Sequence, residues 1–210
     1  MRRSRATRAI AALLVAAALA PIAGCAKKPA AAPAPPPPAA PPAGPIDPSA
    51  CLHALRVEVR KSARLLTAEC VVGGYVAFPI ALSREAGPKR AQGDHRMPEG
   101  DYAIAGPPLT SRFHLFVPID YPSVADADRA LGEGRIDRAT RDAIADAHAE
   151  GRMPPQDTPL GGAIGLHGEG VRWHGDLLLN WTEGCVALSD PAIEELVRLV
   201  RRGTPVRILP

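Results

Sequence analysis

The chain has 210 residues, with 25 Lys or Arg against 22 Asp or Glu, so its formal net charge is +3 at pH 7. Four of the arginines lie within the first eight residues, ahead of an apolar stretch, and the rest of the chain is close to neutral. This balance excludes nucleic-acid binding driven by a basic surface, and no internal repeat is visible.

The N-terminus has the pattern of a secretory signal sequence. A basic start is followed by an apolar stretch from Ile10 to Ala20 and then by Ile22-Ala23-Gly24-Cys25. The apolar stretch is too short to span a bilayer as a mature helix. Its small-small-cysteine ending resembles a bacterial lipobox, in which the cysteine is lipidated. We expect residues 1–24 to be a lipoprotein signal peptide and Cys25 to carry lipid; cleavage elsewhere without lipid is the alternative.

A lipid on Cys25 would anchor the protein to a membrane rather than insert it through one. The predicted location is therefore the cell envelope, in the periplasm, and Ala26 in place of an aspartate favours the outer membrane over the inner one. Within residues 25–50, the stretch 27–48 is almost entirely Pro and Ala. That composition favours extended polyproline II, a semi-rigid spacer, so we expect a tether rather than a polyproline ligand.

Residues 51–210 are long enough for one domain with its own core. Cys51 and Cys70 could form a disulfide in an oxidising compartment, or they could be two buried thiols. Strict alternation of Leu55, Val57 and Val59 with charged residues predicts a half-buried strand. Further strands are predicted at 64–66, 71–72, 75–82, 102–104, 113–119 and 206–209.

Two helices are predicted from apolar residues at helical spacing. One lies between Asp137 and Glu150 and ends at Gly151. In the other, Asp190 caps the start, Pro191 lies in the first turn, and an apolar stripe ends at Gly203. The predicted fold class is mainly β, of the α+β type.

A histidine and a cysteine near the C-terminus could form a nucleophilic site. His167 is flanked by glycines, and Cys185 follows a Thr-x-Gly turn at 182–184. A thiol is only slightly ionised at neutral pH, and a nearby imidazole that accepts its proton is the usual route to activation. The alternative for Cys185 is a buried cysteine that packs as a small apolar residue.

Six segments in order resemble the L,D-transpeptidase (YkuD-type) catalytic family over nearly all of residues 51–210. They read LRVEVRKSARLL, GPKRAQGDHRMPEGDY, SRFHLFVPIDYPS, GGAIGLHG, NWTEGCVALSD and GTPVRILP. The resemblance implies a YkuD-like β-sandwich or barrel with a C-terminal helix and a helical insertion. It also implies action on peptidoglycan stem peptides through a cysteine thiolate, without a metal or organic cofactor.

By this resemblance Cys185 is the nucleophile and His167 is the general base, oriented by a backbone carbonyl. The turn Glu183-Gly184-Cys185 would supply backbone N–H groups to the oxyanion. The candidate substrate contacts are Trp181, Thr182, Gly168, Arg172 and His114. Packing is an alternative role for Trp181, and a half-buried structural role is one for His114.

The chain departs from the common family pattern at two positions, in a Trp-Thr-x-Gly-Cys variant. Glu183 stands where many members have histidine, which need not matter if the turn donates through its backbone. Ala187 stands where many have arginine, which puts the binding of substrate carboxylates in question. The candidates to replace that cation are Arg172, Arg96 and Lys89.

His174 is the nearest competitor for the base, but a following turn signal indicates an exposed loop histidine. A zinc site at His167, His174 and Cys185 matches no usual ligand spacing, so no metal is expected. His53, His95 and His148 receive no role.

The predicted function is peptidoglycan L,D-transpeptidation, with two alternatives. One is a hydrolase of the same family that cleaves cross-links or wall-attached protein; the negative charge of Glu183 favours it slightly, because that charge would repel a second anionic peptide. The other is a catalytically silent lipoprotein that tethers membrane to wall. The expected partners are stem peptides and, through Cys25, a membrane; we expect a monomer that binds no nucleic acid.

Overall fold

The structure, a computed structural model, describes residues 44–172 and 177–210. The predicted signal peptide, Cys25, most of the predicted tether and His174 lie outside the described residues. Within them, no helix has the length and apolar character needed to cross a membrane.

The described residues form nine strands and three α-helices. The strands are β1 (Ala54–Arg60), β2 (Leu65–Cys70), β3 (Tyr75–Pro79), β4 (Gly100–Ala103), β5 (Leu109–Ser111), β6 (His114–Pro118), β7 (Gly165–His167), β8 (Val186–Ala187) and β9 (Pro205–Leu209). The helices are α1 (Val124–Gly132), α2 (Arg138–Ala149) and α3 (Asp190–Leu199).

The strands form two sheets. The first has the order β3-β2-β1-β9-β4, in which only β1 and β9 run parallel. The second has the order β5-β6-β7-β8, in which only β7 and β8 run parallel. We call them the scaffold sheet and the site sheet.

One apolar core joins both sheets. It contains Val57 and Val59 from the scaffold sheet, Val117 and Leu166 from the site sheet, and Ile193 from α3. Helices α1 and α2 form an insertion between β6 and β7, and α3 lies between β8 and β9. The predicted fold class is therefore confirmed: an α+β fold with a β-sandwich, a helical insertion and a C-terminal helix.

The strand β1 corrects one prediction from the alternating pattern. Val57 and Val59 are fully buried, as expected, but Leu55 is 50% exposed and Ala54 is buried in its place. A register shift between Ala54 and Arg56 in the pairing with β2 explains the difference, because a bulge reverses the side-chain alternation beyond it. The predicted strand at 71–72 is also wrong, because those residues form the exposed turn between β2 and β3.

The helices differ from prediction at their starts. Helix α1 was not predicted; Ser123 and Asp126 form a capping box there, a signal that the sequence does contain. Helix α2 was predicted from its spacing, and the structure adds that Asp137 caps it. Ser189, not Asp190, caps α3, and that helix ends at Leu199 rather than near Gly203.

Cys51 and Cys70 form a disulfide, with their Cα atoms 5.5 Å apart. It ties the start of the domain to the end of β2. Of the two alternatives left by the sequence, the structure therefore has the covalent link.

Candidate active site

His167 and Cys185 come together on the site sheet. His167 ends β7, and Cys185 directly precedes β8, the parallel neighbour of β7. Both side chains line one cleft of about 550 Å³. The parallel pairing therefore brings together two residues that are 18 positions apart in the sequence.

The imidazole of His167 is buried and held in one tautomer. Its Nδ1 lies 2.6 Å from the carbonyl oxygen of Gly168. Because a carbonyl can only accept, Nδ1 carries the proton and Nε2 keeps its lone pair. Burial lowers the pKa of His167 to about 4; the hydrogen bond to Gly168 opposes that shift, and the charge of Arg112 adds to it. The ring is therefore neutral at pH 7 and able to accept a proton.

Two aromatic side chains fix the plane of this imidazole. Phe113 stacks on it with ring centroids 4.4 Å apart, and Trp181 meets it edge-on at 5.4 Å. Trp181 also packs against Phe113 at 5.8 Å. Trp181 lines the cleft as well, so the packing role and a contact with substrate are compatible.

The Cys185 thiol is partly buried between two backbone groups. Its Sγ lies 3.5 Å from the carbonyl oxygen of Ala163, to which the thiol donates, and the N–H of Gly165 donates to the sulfur. Burial raises the pKa of Cys185 to about 11, and the Gly165 N–H and the Lys89 ammonium oppose that rise. The thiol is thus protonated at rest and needs a base. Within the described site no hydrogen bond joins it to His167, and such bonds often tighten only with substrate.

A loop beneath the thiol places the Ala163 carbonyl. Ala163 has φ 54, in the left-handed region, and its N–H donates to Gln156 Oε1 at 2.7 Å. Gln156 Nε2 in turn donates to the carbonyls of Tyr121 and Pro154. Gly162 lies so close to Gln156 that an added Cβ would come within 2.5 Å of its carbonyl oxygen. Gln156 was not identified from the sequence, in which only the Gly161-Gly162 pair indicates a tight approach.

The turn before Cys185 is held from within. Thr182 is buried, and its Oγ1 donates to the Cys185 carbonyl at 2.7 Å and accepts the N–H of Gly184 at 3.4 Å. Gly184 has φ 137, and an added Cβ would come within 2.8 Å of the Arg96 carbonyl oxygen. Only glycine fits there, and Thr182 shapes the turn in addition to lining the cleft.

The negative charge of Glu183 is paired with neighbouring side chains. Its carboxylate is exposed and lies 3.2 Å from Arg84, and it also pairs with His95. The charge beside the nucleophile is therefore offset, which removes most of the basis for favouring water over a second peptide. His95, which had no predicted role, lies next to Glu183 and has a backbone φ of 53.

The remaining candidate substrate contacts differ in position. Gly168 has no room for a side chain, since an added Cβ would come within 2.4 Å of Asp190 Oδ1, and its carbonyl orients His167. His114 does not line the cleft with Cys185; its Nε2 lies 2.8 Å from Glu194 on α3. For Arg172 only the backbone is described, in a short 3-10 helix at 170–172.

Asp190, the cap expected from the sequence, instead holds the segment after His167. The Asp190 carboxylate accepts the N–H groups of Glu169, at 2.8 Å, and Gly170, at 3.0 Å. The segment that follows His167 is therefore fastened to the start of α3.

Two of the cations proposed from the sequence, Lys89 and Arg96, do not line the cleft. Ala187 is fully buried. Lys89 is buried too, and its Nζ bonds to the Ala91 carbonyl and to Asp94 at 2.9 Å each. Arg96 does not line the cleft, whereas Arg84 and Arg112 do. Within residues 44–172 and 177–210, no group of three His, Cys, Asp or Glu side chains could hold a metal ion.

The chain is similar to solved structures of three bacterial proteins. These are the helical cell shape determining protein Pgp2 from Campylobacter jejuni (18% identity over 72% of this chain and 46% of that chain, TM-score 0.47), Bd1075 from Bdellovibrio bacteriovorus (19%, 76% and 49%, TM-score 0.45), and L,D-transpeptidase 1 from Mycobacterium tuberculosis (12%, 73% and 60%, TM-score 0.38). The chain spans about half the length of the first two.

No curated protein matches the chain. A family model does, and it is described as the L,D-transpeptidase catalytic domain. The match runs from residue 52 to residue 208, which includes both sheets, the insertion and the cleft with His167 and Cys185. The chain therefore belongs to the L,D-transpeptidase catalytic domain family.

Proposed function

We propose that this protein is a peptidoglycan L,D-transpeptidase that works through an acyl-enzyme on Cys185. The observation that carries the proposal is the cleft in which a neutral imidazole, fixed through Nδ1 by Gly168, stands beside a protonated thiol. An imidazole that is uncharged at pH 7 keeps a lone pair with which it can accept the thiol proton.

In the first half-reaction, Nε2 of His167 takes the proton from the thiol as the sulfur attacks the carbonyl of the third residue of a stem peptide. The N–H groups of the turn at 183–185 stabilise the oxyanion that forms. The carbonyl then re-forms, the peptide C–N bond breaks, and His167 returns the proton to the departing amine. The product is a thioester between Cys185 and the shortened stem peptide.

In the second half-reaction, an amine attacks the thioester. His167 accepts the proton of that amine and returns it to the sulfur as the C–S bond breaks, which regenerates the thiol. Water as the acceptor would give the hydrolytic alternative by the same steps. We place transpeptidation first because Arg84 offsets the charge of Glu183.

We further propose that the protein acts as a monomer in the periplasm, anchored by lipid on Cys25, with the outer membrane as the favoured location. A polyproline II tether of about twenty residues reaches roughly 60–70 Å, enough to hold the domain away from the membrane surface. The sequence Ile22-Ala23-Gly24-Cys25 supports this. Cys25→Ser should move the protein out of the membrane fraction; unchanged partitioning with normal cleavage would contradict the lipid anchor.

The test of the activity is direct. The purified chain is incubated with a stem tetrapeptide, and protein and products are resolved by mass. We expect an acyl-enzyme and a cross-linked peptide dimer, whereas tripeptide alone would identify the hydrolase. A wild-type protein that gives neither acyl-enzyme nor product would contradict the enzymatic proposal and favour the silent tether.

A further inference from the structure

Arg112 lies at the tip of a tight hairpin beside the cleft. Strands β5 and β6 pair up to Ser111 and His114, which leaves only Arg112 and Phe113 in the loop. Ser111 Oγ accepts the N–H of Phe113 at 3.0 Å. Gly170 packs against the other side, where an added Cβ would come within 2.2 Å of the Arg112 carbonyl oxygen. The backbone that carries Arg112 is therefore held from both sides.

The guanidinium of Arg112 contacts the same aromatic ring as the candidate base. Its Cζ lies 4.7 Å from the ring centroid of Phe113, and that ring also stacks on His167 with centroids 4.4 Å apart. A guanidinium over an aromatic ring is stabilised by the ring quadrupole, and its N–H groups remain directed outward from its edge. The stack orients the cation without using its hydrogen-bond donors.

Those donors are unused in the described part of the chain. Arg112 has neither an ion pair nor a side-chain hydrogen bond there, and its charge reaches His167. By contrast, Arg84 bonds to Glu183 and to the Trp181 carbonyl. Of the two arginines that line the described cleft, Arg84 and Arg112, Arg112 can therefore receive an anion without first giving up a protein partner.

We propose that Arg112 binds a carboxylate of the substrate peptide while the reacting carbonyl lies at Cys185. The inference rests on the proposed function and deepens it. It supplies, from the β5–β6 hairpin, the fixed cation that the buried Ala187 does not provide. A guanidinium matches the two oxygens of a carboxylate in one plane, so it selects this group over a neutral amide.

The position of Arg112 suits a peptide that extends beyond the reacting residue. It lines the cleft with Cys185 and also a neighbouring cleft of about 580 Å³, whose other walls include Thr110 and His114. A peptide that lies across both clefts passes the guanidinium. The carboxylate can therefore belong to a residue next to the acylated one.

The experiment measures binding without turnover, in a Cys185→Ala background. The probes are a stem tetrapeptide with free carboxylates and the same peptide with every carboxylate amidated. Adding Arg112→Ala should weaken binding of the free-acid peptide about five- to tenfold, the size expected for a charge-assisted contact at a partly exposed site. Binding of the amidated peptide should change less than about twofold.

Two further variants sharpen the result. Arg112→Lys keeps the charge but not the planar fork, so we expect an intermediate loss. Arg207→Ala is the matched control, because Arg207 is an exposed arginine of the scaffold sheet that pairs with Asp101, and it should change nothing. In the otherwise wild-type protein, Arg112→Ala should raise KM for the free-acid peptide more than it raises KM for the amidated peptide.

The outcomes separate this proposal from the proposed function. An unchanged affinity in Arg112→Ala, or an equal loss for both peptides, would overturn the carboxylate site. Absence of binding by the free-acid peptide would overturn it too. Charge-dependent binding that needs Arg112, in a protein whose wild type forms no acyl-enzyme, would support the site and contradict the activity.

Discussion

The two sheets of this molecule obey different constraints. Strands of the scaffold sheet have four to seven residues, and their exposed charges pair across strands, as Arg56 does with Glu69 and Arg207 with Asp101. Strands of the site sheet have two to five residues. Positive φ occurs beside both sheets, but beside the site sheet it includes Ala163 and Gly184 next to the thiol, whereas Arg64 and Gly73 lie in turns of the scaffold sheet.

This difference separates the sheet that stabilises the fold from the sheet that positions the groups of the cleft. The scaffold sheet is stabilised by alternation and cross-strand pairs, which a local pattern specifies. The site sheet places a carbonyl under a sulfur and another beside an imidazole, and such positions need backbone conformations that the surrounding structure must enforce. Changes in the first sheet should therefore reduce stability, and changes in the second should reduce activity.

The cysteines give the largest expected contrast. Cys185→Ala should keep the fold and abolish the acyl-enzyme, with turnover reduced at least about 10⁴-fold, because no other side chain supplies the nucleophile. The matched change, Cys51→Ser with Cys70→Ser, should lower the free energy of unfolding by about 3 kcal/mol and leave acylation intact. Intact mass measures acylation, and urea unfolding measures the free energy of unfolding. Acylation that survives in Cys185→Ala would end the assignment.

His167 should also affect activity strongly. His167→Gln removes the proton acceptor and should slow acylation about 10²- to 10⁴-fold. It should also change how the rate of Cys185 alkylation depends on pH. His174→Gln is the comparison, since that residue was the competing base in the sequence. The reverse result, with the effect only in His174→Gln, would move the base to His174.

Alanine substitutions at two glycines with positive φ can distinguish the cost of backbone strain from the cost of steric crowding. Gly184→Ala, in the site sheet, would bring a Cβ within 2.8 Å of the Arg96 carbonyl oxygen. It should cost about 2–4 kcal/mol of stability and most of the activity. Gly73→Ala, in the scaffold-sheet turn between β2 and β3 at φ 92, meets nothing within 4 Å. It should cost only about 1–2 kcal/mol, with normal turnover per folded molecule. Equal effects on turnover would contradict the contrast between the sheets.

The buried imidazole predicts a pH-dependent loss of stability. His167 has a pKa of about 4 in the folded protein, against 6.5 as the ordinary value. Below pH 6.5 the unfolded chain therefore binds this proton before the folded protein does, and stability falls as pH falls toward 4. Between pH 7.5 and 4.5 the loss should be about 2–3 kcal/mol. Urea unfolding should show it in the wild type, and His167→Gln should lose that much less; parallel curves for the two proteins would contradict it.

Glu183 should have the smallest effect. Because Arg84 lies 3.2 Å from an exposed carboxylate, Glu183→Gln should change the ratio of cross-linked to hydrolysed product less than about twofold. Glu183→His, which restores the common family residue, serves as the second variant. A large rise of the ratio in both would restore the charge argument for hydrolysis made from the sequence.

The parts that were predictable from the sequence are those specified locally. The periodicity of α2 and the burial of Val57 and Val59 follow from spacing, and the helix and the two buried positions are confirmed. The fold class is confirmed as well. The predicted burial of Leu55 was wrong because a bulge depends on how two strands pair. The residue pattern of one strand alone does not contain that information.

The surroundings of the thiol were less predictable. Gln156 acts through Ala163, and Arg112 reaches the cleft through Phe113, from segments distant in the sequence from the Cys185 turn. Nothing in the local pattern of either residue distinguishes it from other polar surface residues. Their positions depend on tertiary contacts, whereas the Gly-flanked histidine and the Thr-x-Gly-Cys turn have a recognisable local form.

The central position of β9 has a consequence for when the scaffold sheet can fold during synthesis. Strand β9 lies between β1 and β4, and β4 has no other neighbour in that sheet. Residues 205–209 follow every other strand in the chain, so a growing polypeptide has the edges of this sheet before it has the strand that joins them. Nascent chains that have not yet reached β9 should therefore remain sensitive to protease, and cooperative assembly of the sheet should follow synthesis of this strand.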